Sequence, residues 1–171
     1  MRGFGQEVID EAMLEACRLA VQHSTDRSSW TGAVLLGETG EVIGRGWNSL
    51  MPGFDADDPK NHERPRKYEI TEHAERRALH DAVRRGRRVV DSTLVAAWIG
   101  CTDCDRAIAE MGVREIVRLP LNHTNDHWIE NILVGDEILR HSGVTITEIS
   151  FEYLALPELL RNGKMVDPRL A

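Results

Sequence analysis

Residues 71–104 read TEHAERRALHDAVRRGRRVVDSTLVAAWIGCTDC. Thr71 can cap a helix running to about Arg85, with Gly86 as its stop. Ala74, Ala78, Leu79, Ala82 and Val83 supply its buried face. Arg84, Arg85, Arg87 and Arg88 gather at its C-terminal end, where the helix dipole favours cations. Thr93–Trp98 (TLVAAW) is a short apolar strand of the kind buried in a sheet covered on both faces. A second helix follows from Thr102 to Met111 and stops at Gly112. Helix, buried strand and helix in succession predict a crossover unit of an α/β sheet.

The same stretch places His73 and Glu75 at one helix start and Cys101 and Cys104 at the other. One imidazole and two thiols form a donor set suited to zinc, and three protein ligands leave one tetrahedral position open, as catalytic sites require. Cys101 and Cys104, three apart on a first turn, project together, and the positive end of the dipole favours their thiolates. Glu75, two residues from His73, is badly spaced to share the ion but can reach a metal-activated water as a proton acceptor. Two plainer readings stand beside this one. A fourth ligand from Cys17, His62 or His80 would close the site and make it structural, and an isolated Cys-x-x-Cys can be a redox pair.

Outward from this unit, Gln6–Gln22 reads as an opening helix with an apolar face of Val8, Ile9, Ala12, Met13, Ala16, Leu19 and Ala20. Cys17 packs within it. Residues 24–29 are a polar connector. Thr31–Leu36 and Val42–Trp47 are two strands joined by a turn at residues 37–40, where Gly37 and Gly40 tolerate positive φ. Asn48 leaves the second strand. Residues 49–69 hold no periodicity and carry Pro52, Gly53, Pro59 and Pro65, so they read as a solvated loop or a substrate lid. Beyond the central unit, Glu115–Leu119 is a strand. A helix capped by Asn125 or Asp126 runs to Ser142, with Trp128, Ile129, Ile132, Leu133, Ile138 and Leu139 inward. Val144–Ile149 is the last strand, and the tail past Phe151 reads as a short helix near Pro157. A leading hairpin followed by strand–helix alternation predicts a three-layer α/β/α arrangement around a mixed five-stranded sheet.

A chain of 171 residues, 42% hydrophobic, can fill one domain core. A net charge of −7 argues against avid binding of long nucleic acids. No signal-peptide pattern and no membrane-length apolar run occur. Three cysteines, two of them in the Cys-x-x-Cys pair, fit a reducing compartment, so a cytoplasmic protein is expected.

On its motifs the chain resembles the cytidine and deoxycytidylate deaminase superfamily, nearest to the deoxycytidylate (dCMP) deaminase branch. Gly32-Ala33-Val34 is similar to the family's G-A-V, and Gly46-Trp47-Asn48 to its G-Y-N. His73-Ala74-Glu75-Arg76-Arg77-Ala78 resembles H-A-E-x-N-A, and Cys101-Thr102-Asp103-Cys104 resembles the family's C-x-x-C. Met111-Gly112-Val113 resembles its closing A-G-[IV]. Gly100 stands where proline is usual, Arg77 where asparagine is, and Ser49 where dCTP-responsive members often have glycine.

The resemblance implies a cytidine deaminase-like fold filling a single domain, residues 1–171, with Zn²⁺ on His73, Cys101 and Cys104 and Glu75 as proton shuttle. It also implies that Asn48 contacts the substrate sugar, that the backbone N–H of Ala74 binds the pyrimidine carbonyl, and that the protein is a homo-oligomer. The expected reaction is hydrolysis of a cytosine mononucleotide, dCMP to dUMP, with release of ammonia. The alternatives are another amino-heterocycle (a nucleoside, a free base or a tRNA adenosine) or a non-catalytic zinc module. Arg27, Arg64, Arg66 and Lys67 are the phosphate partners expected from sequence.

Overall fold

The structure, a computed structural model, describes residues 4–98, 100–120 and 129–170. Helix α1 (Gln6–His23) leads into the antiparallel strands β1 (Gly32–Leu36) and β2 (Val42–Trp47). A short strand β3 (Ser49–Leu50), a 3-10 turn (Pro59–His62), helix α2 (Arg66–Ile70) and strand β4 (Thr71–Glu72) follow. Then come α3 (Ala74–Arg84), β5 (Thr93–Ala96), α4 (Thr102–Glu110), β6 (Glu115–Arg118), α5 (Ile129–His141) and β7 (Thr145–Glu148). Strands β8 (Leu159–Arg161) and β9 (Lys164–Val166) end the chain as a hairpin.

The five-stranded sheet has the order β2-β1-β5-β6-β7. Its β2–β1 and β1–β5 pairs are antiparallel, and β5–β6 and β6–β7 are parallel. This is the mixed sheet expected from the leading hairpin and the later crossovers. Alternate strand residues feed two cores. Val34, Leu36, Val95 and Val117 pack under α1 with Phe151 and Leu159, while Ala33, Leu35, Leu94 and Ile116 pack under α3, α4 and α5. Three layers result.

One contact sets where the site lies. Gly44 and Gly46 share a face of β2, and α3 rests on them through Ala74 and Ala78. A Cβ on Gly46 would stand 2.0 Å from the Ala74 carbonyl oxygen, and one on Gly44 would stand 2.2 Å from that of Ala78. The missing side chains bring the start of α3 against the sheet. We expect Gly46→Ala to lower the unfolding free energy by about 3 kcal/mol, the upper end of overpacking costs, since the obstacle is backbone. Urea denaturation measures it, and an unchanged midpoint would mean that α3 moves off the sheet freely.

Several expectations are corrected. Thr71 does not cap α3. It pairs with Leu50 in the β3–β4 ladder, and His73, extended at φ −82° and ψ 153°, is the N-cap residue instead. Val83 is 51% and Leu133 52% exposed, because each lies one position beyond the buried stripe of its helix. Residues 49–69 are not all loop, holding β3, the 3-10 turn and α2. No helix forms near Pro157. Asn162 and Gly163 both take positive φ and close the β8–β9 hairpin, as an Asn-Gly pair favours. The proposed caps Asn125 and Asp126, and Trp128, lie outside the described residues. Among the described residues no helix is long and apolar enough to cross a membrane.

Candidate metal centre and active site

The starts of α3 and α4 meet beside the C-terminal end of β5. His73 is the N-cap residue of α3 and Cys101 that of α4, with Cys104 inside the first turn of α4. Glu72 sets the first of these starts, its Oε1 accepting from the His73 backbone N–H at 2.9 Å and from Arg76 Nε at 2.7 Å. The second is held by Asn131 of α5, whose Oδ1 accepts from the Thr102 N–H at 3.0 Å. Arg118 fixes α5 in turn, bonding Asp136 at 2.7 and 2.9 Å and Glu148 at 2.9 Å.

His73 Nδ1 lies 3.4 Å from each of the Cys101 and Cys104 sulfurs, which are 3.8 Å apart. A tetrahedral zinc, with Zn–S about 2.3 Å and Zn–N about 2.0–2.1 Å, needs separations of about 3.5 and 3.8 Å, so the three donors fit that ion. Among the described residues, the donor atoms that group within 4.8 Å of one another are those of His73, Cys101 and Cys104. The candidate fourth ligands lie elsewhere. Cys17 is buried in the α1 core, His62 Nε2 pairs with the Ala56 carbonyl at 2.8 Å, and His80 faces Glu72 on the surface. All three cysteines are free thiols, and no disulfide links Cys101 to Cys104.

The three donors titrate as one coupled cluster, in which the hydrogen bond with Cys101 and then burial push the Cys104 thiol up. A hydrogen bond from the Cys104 thiol holds the Cys101 thiol down to about 3, with His73 assisting, so a thiolate forms readily. That thiolate in turn raises the imidazole of His73 through their hydrogen bond. Burial pushes the Cys17 thiol up to about 12 and keeps it neutral.

Glu75 is 4% exposed, with Oε2 3.6 Å from the Cys104 sulfur. Burial raises its pKa above the ordinary carboxylate value. Asp105 stands behind it, pushed up to about 8 by burial first and then by the charge of Glu75, and its Oδ2 has no hydrogen-bond partner. Two glycines leave room for this acid. A Cβ on Gly135 would meet Asp105 Oδ2 at 2.0 Å, and one on Gly100 would lie 3.1 Å from Asp105 Oδ1 and 3.3 Å from Glu75 Oε1.

His73, Glu75 and Cys101 line a cavity of about 240 Å³. Its walls come from the Asp26–Thr31 connector, from Arg64, Lys67 and Tyr68, from Trp98, and from Arg161 and Asn162 of the terminal hairpin. Asn48 lines it as well, yet its amide is largely engaged. Nδ2 donates to Ser29 O at 2.7 Å, and Oδ1 accepts from Ser24 Oγ at 2.6 Å and Thr31 N at 2.8 Å. One N–H is left for a ligand. Ala74 is fully buried against β2 and does not itself line the cavity.

Of the expected phosphate partners, Arg64 and Lys67 reach the cavity and Arg27 and Arg66 do not. Arg27 Nη2 donates to the carbonyls of Ala56 and Asp57, and Arg66 bonds Asn61 and lies over Phe54. Sequence reading missed Asp26, Trp98 and Arg161, and singled out Arg77 only as a departure from the family's asparagine. Arg77 brackets Asn48, with Nε on Trp47 O at 2.9 Å and Nη2 on Ser49 Oγ at 2.8 Å. For Arg161 the Asn162-Gly163 turn was the available signal.

Comparison with known proteins agrees with this geometry. Residues 7–119 match the family described as the cytidine and deoxycytidylate deaminase zinc-binding region. Among solved structures, the dCMP deaminase of cyanophage S-TIM5 in complex with dCMP and dUMP is similar at 24% identity, covering 86% of this chain and 100% of that one, with a TM-score of 0.66. Its apo form is similar at 22% identity, covering 85% and 100%, with a TM-score of 0.61. A diaminohydroxyphosphoribosylaminopyrimidine deaminase/5-amino-6-(5-phosphoribosylamino)uracil reductase of Thermotoga maritima matches at 21% identity, covering 83% of this chain and 36% of that one, with a TM-score of 0.56. At such identities the likeness is one of fold. No curated protein gives a match. The family match runs through both helix starts and contains His73, Glu75, Cys101 and Cys104, and on that ground the chain belongs to the cytidine and deoxycytidylate deaminase family.

Proposed function

We propose that the protein is a zinc-dependent hydrolytic deaminase of a cytosine mononucleotide, converting dCMP to dUMP and ammonia. The observation that carries this reading is a single cavity lined by His73, Cys101 and the buried Glu75 on one side and by Arg64, Lys67 and Arg161 on others. His73, Cys101 and Cys104 would hold the zinc, which when bound supplies a Lewis acid that makes water nucleophilic near neutral pH.

Glu75 takes the proton of the attacking water on a carboxylate oxygen. It delivers that proton to the ring N3, takes the second from the hydroxyl now on C4 and passes it to the exocyclic amine, so that a C=O bond replaces the C–N bond and ammonia leaves. Its raised pKa suits this work, because a group that must both accept and donate serves best near the operating pH. The N–H of Ala74, at the start of α3 between the cavity-lining His73 and Glu75, has no acceptor within the helix and is the donor we assign to the pyrimidine carbonyl. Asn48 offers its remaining amide N–H to the sugar. Three free thiols support a reducing, cytoplasmic setting. A single domain that assembles as a homo-oligomer completes the reading.

An ammonia-release screen of zinc-loaded protein on dCMP, CMP, deoxycytidine, cytidine and guanine is the test. We expect dCMP to have the highest kcat/KM. Equal efficiency on deoxycytidine would replace the mononucleotide with a nucleoside, and no release from any of them would favour a non-catalytic module.

A further inference from the structure

Resting on the deaminase reading, in which Glu75 moves the protons, we propose that Asp105 is a positioning residue for Glu75, acting through one buried water held between the two carboxyl groups. Behind the active site lies a second cavity of about 10 Å³, with Glu75, Trp98, Gly100, Asp105 and Arg118 among its walls. A buried water needs about 10–15 Å³ and at least two polar partners, so the space takes one. Glu75, Trp98 and Gly100 line the larger cavity as well, which places Glu75 between the two. Its Oε2 lies 3.6 Å from the Cys104 sulfur, on the side of the metal centre. Its Oε1 and Asp105 Oδ1 approach a common point. A Cβ on Gly100, where the family usually has proline, would lie 3.3 Å from the first and 3.1 Å from the second.

Helix stabilisation does not account for Asp105. Asp103, on the same first turn of α4 and exposed, serves the helix dipole without burial. Asp105 is instead 2% exposed, where an apolar side chain would pack without desolvating an acid beside a second acid. Its Oδ2 has no hydrogen-bond partner and abuts Gly135, on which a Cβ would stand 2.0 Å from that oxygen. Arg118, the cation in the cavity wall, bonds Asp136 at 2.7 and 2.9 Å and Glu148 at 2.9 Å. Hydrogen bonding to the Asp105 carboxyl therefore has to come through Oδ1, from the cavity it shares with Glu75. A water there donates one hydrogen to each carboxyl group. It fixes the plane of the Glu75 carboxylate and keeps Oε2 on the side of the metal centre.

The test measures kcat, KM and zinc content in zinc-loaded wild type, Asp105→Ala, Asp105→Asn and Gly135→Ala, on the best substrate of the ammonia-release screen. A high-resolution crystal structure of the wild type is the readout independent of turnover, and should show one water bonded to Asp105 Oδ1 and Glu75 Oε1. Asp105→Ala should lower kcat roughly 10- to 100-fold, the usual cost of losing a group that supports the working residues of a metal site. KM and zinc content should stay as in wild type. Asp105→Asn keeps a side chain able to bond the water and should recover most of the loss. Gly135→Ala displaces the Asp105 side chain and should match Asp105→Ala in kcat, and the two combined should cost nothing further. A dry cavity, an unchanged kcat in Asp105→Ala, an Asp105→Asn no better than Asp105→Ala, or zinc lost in step with kcat would each overturn the proposal and leave the deaminase reading intact. A wild type that releases ammonia from none of the substrates would overturn both.

Discussion

Glu75→Gln is expected to keep its fold and its zinc while losing at least about 10⁴-fold in kcat. A positioned acid–base group usually contributes about 10²–10⁴-fold, and here one carboxylate serves every proton transfer of the reaction, which places the loss at the upper end or beyond. Glutamine preserves the volume and one hydrogen-bonding oxygen but cannot shuttle a proton. Stability should not suffer. Glu75 is 4% exposed with a pKa raised by burial, so a neutral amide removes the cost of keeping a charge there. Nor does Glu75 belong to the mutually close donor group, so elemental analysis should find as much zinc as in wild type. The measurements are ammonia release, metal content and thermal midpoint on one preparation. Near-normal turnover would remove Glu75 from the chemistry, and coupled loss of zinc would recast it as part of the metal's support.

What could be read from sequence followed the range of the interactions. The helix–strand–helix order of residues 71–112 and the placement of His73, Glu75, Cys101 and Cys104 near helix starts depend on local periodicity and spacing, and the fold carries them. Helices on both sheet faces followed from the alternation of strands and helices. Thr71 failed as a cap because a distant segment, Ser49–Leu50, supplied it with a ladder partner. Arg27 looked like a phosphate ligand by proximity along the chain, but carbonyls at Ala56 and Asp57 claim it from across a loop. Arg161 was invisible for the same reason in reverse. Nothing within ten residues of it hints at Trp98 or Ser28, and only the folded hairpin joins them. The Asn162-Gly163 pair announced a turn, and a helix near Pro157 was the wrong inference from a segment without clear periodicity. Gly46 tells a similar story, since its neighbour Ala74 is contributed by a different element.

Cys104→Ala and Cys101→Ala are each expected to lose zinc and, with it, detectable deamination. The three ligand atoms sit 3.4–3.8 Å apart at two helix starts, so removing one leaves two of the three donors. Removing a residue that merely supports a ligand costs about 10–100-fold in metal affinity, and a ligand itself should cost more. Cys104 is fully buried and Cys101 only partly, so the two variants separate ligation from packing. If packing were at issue, Cys104→Ala alone would be affected; if ligation is, both lose metal alike. Cys17→Ala is the control. It removes an equally buried thiol, but from the α1 core on the far face of the sheet, and should keep its full complement of zinc even where its thermal midpoint falls. Metal content after dialysis, measured on all three variants, decides the matter, and full zinc in either Cys101→Ala or Cys104→Ala would strike that residue from the ligand set.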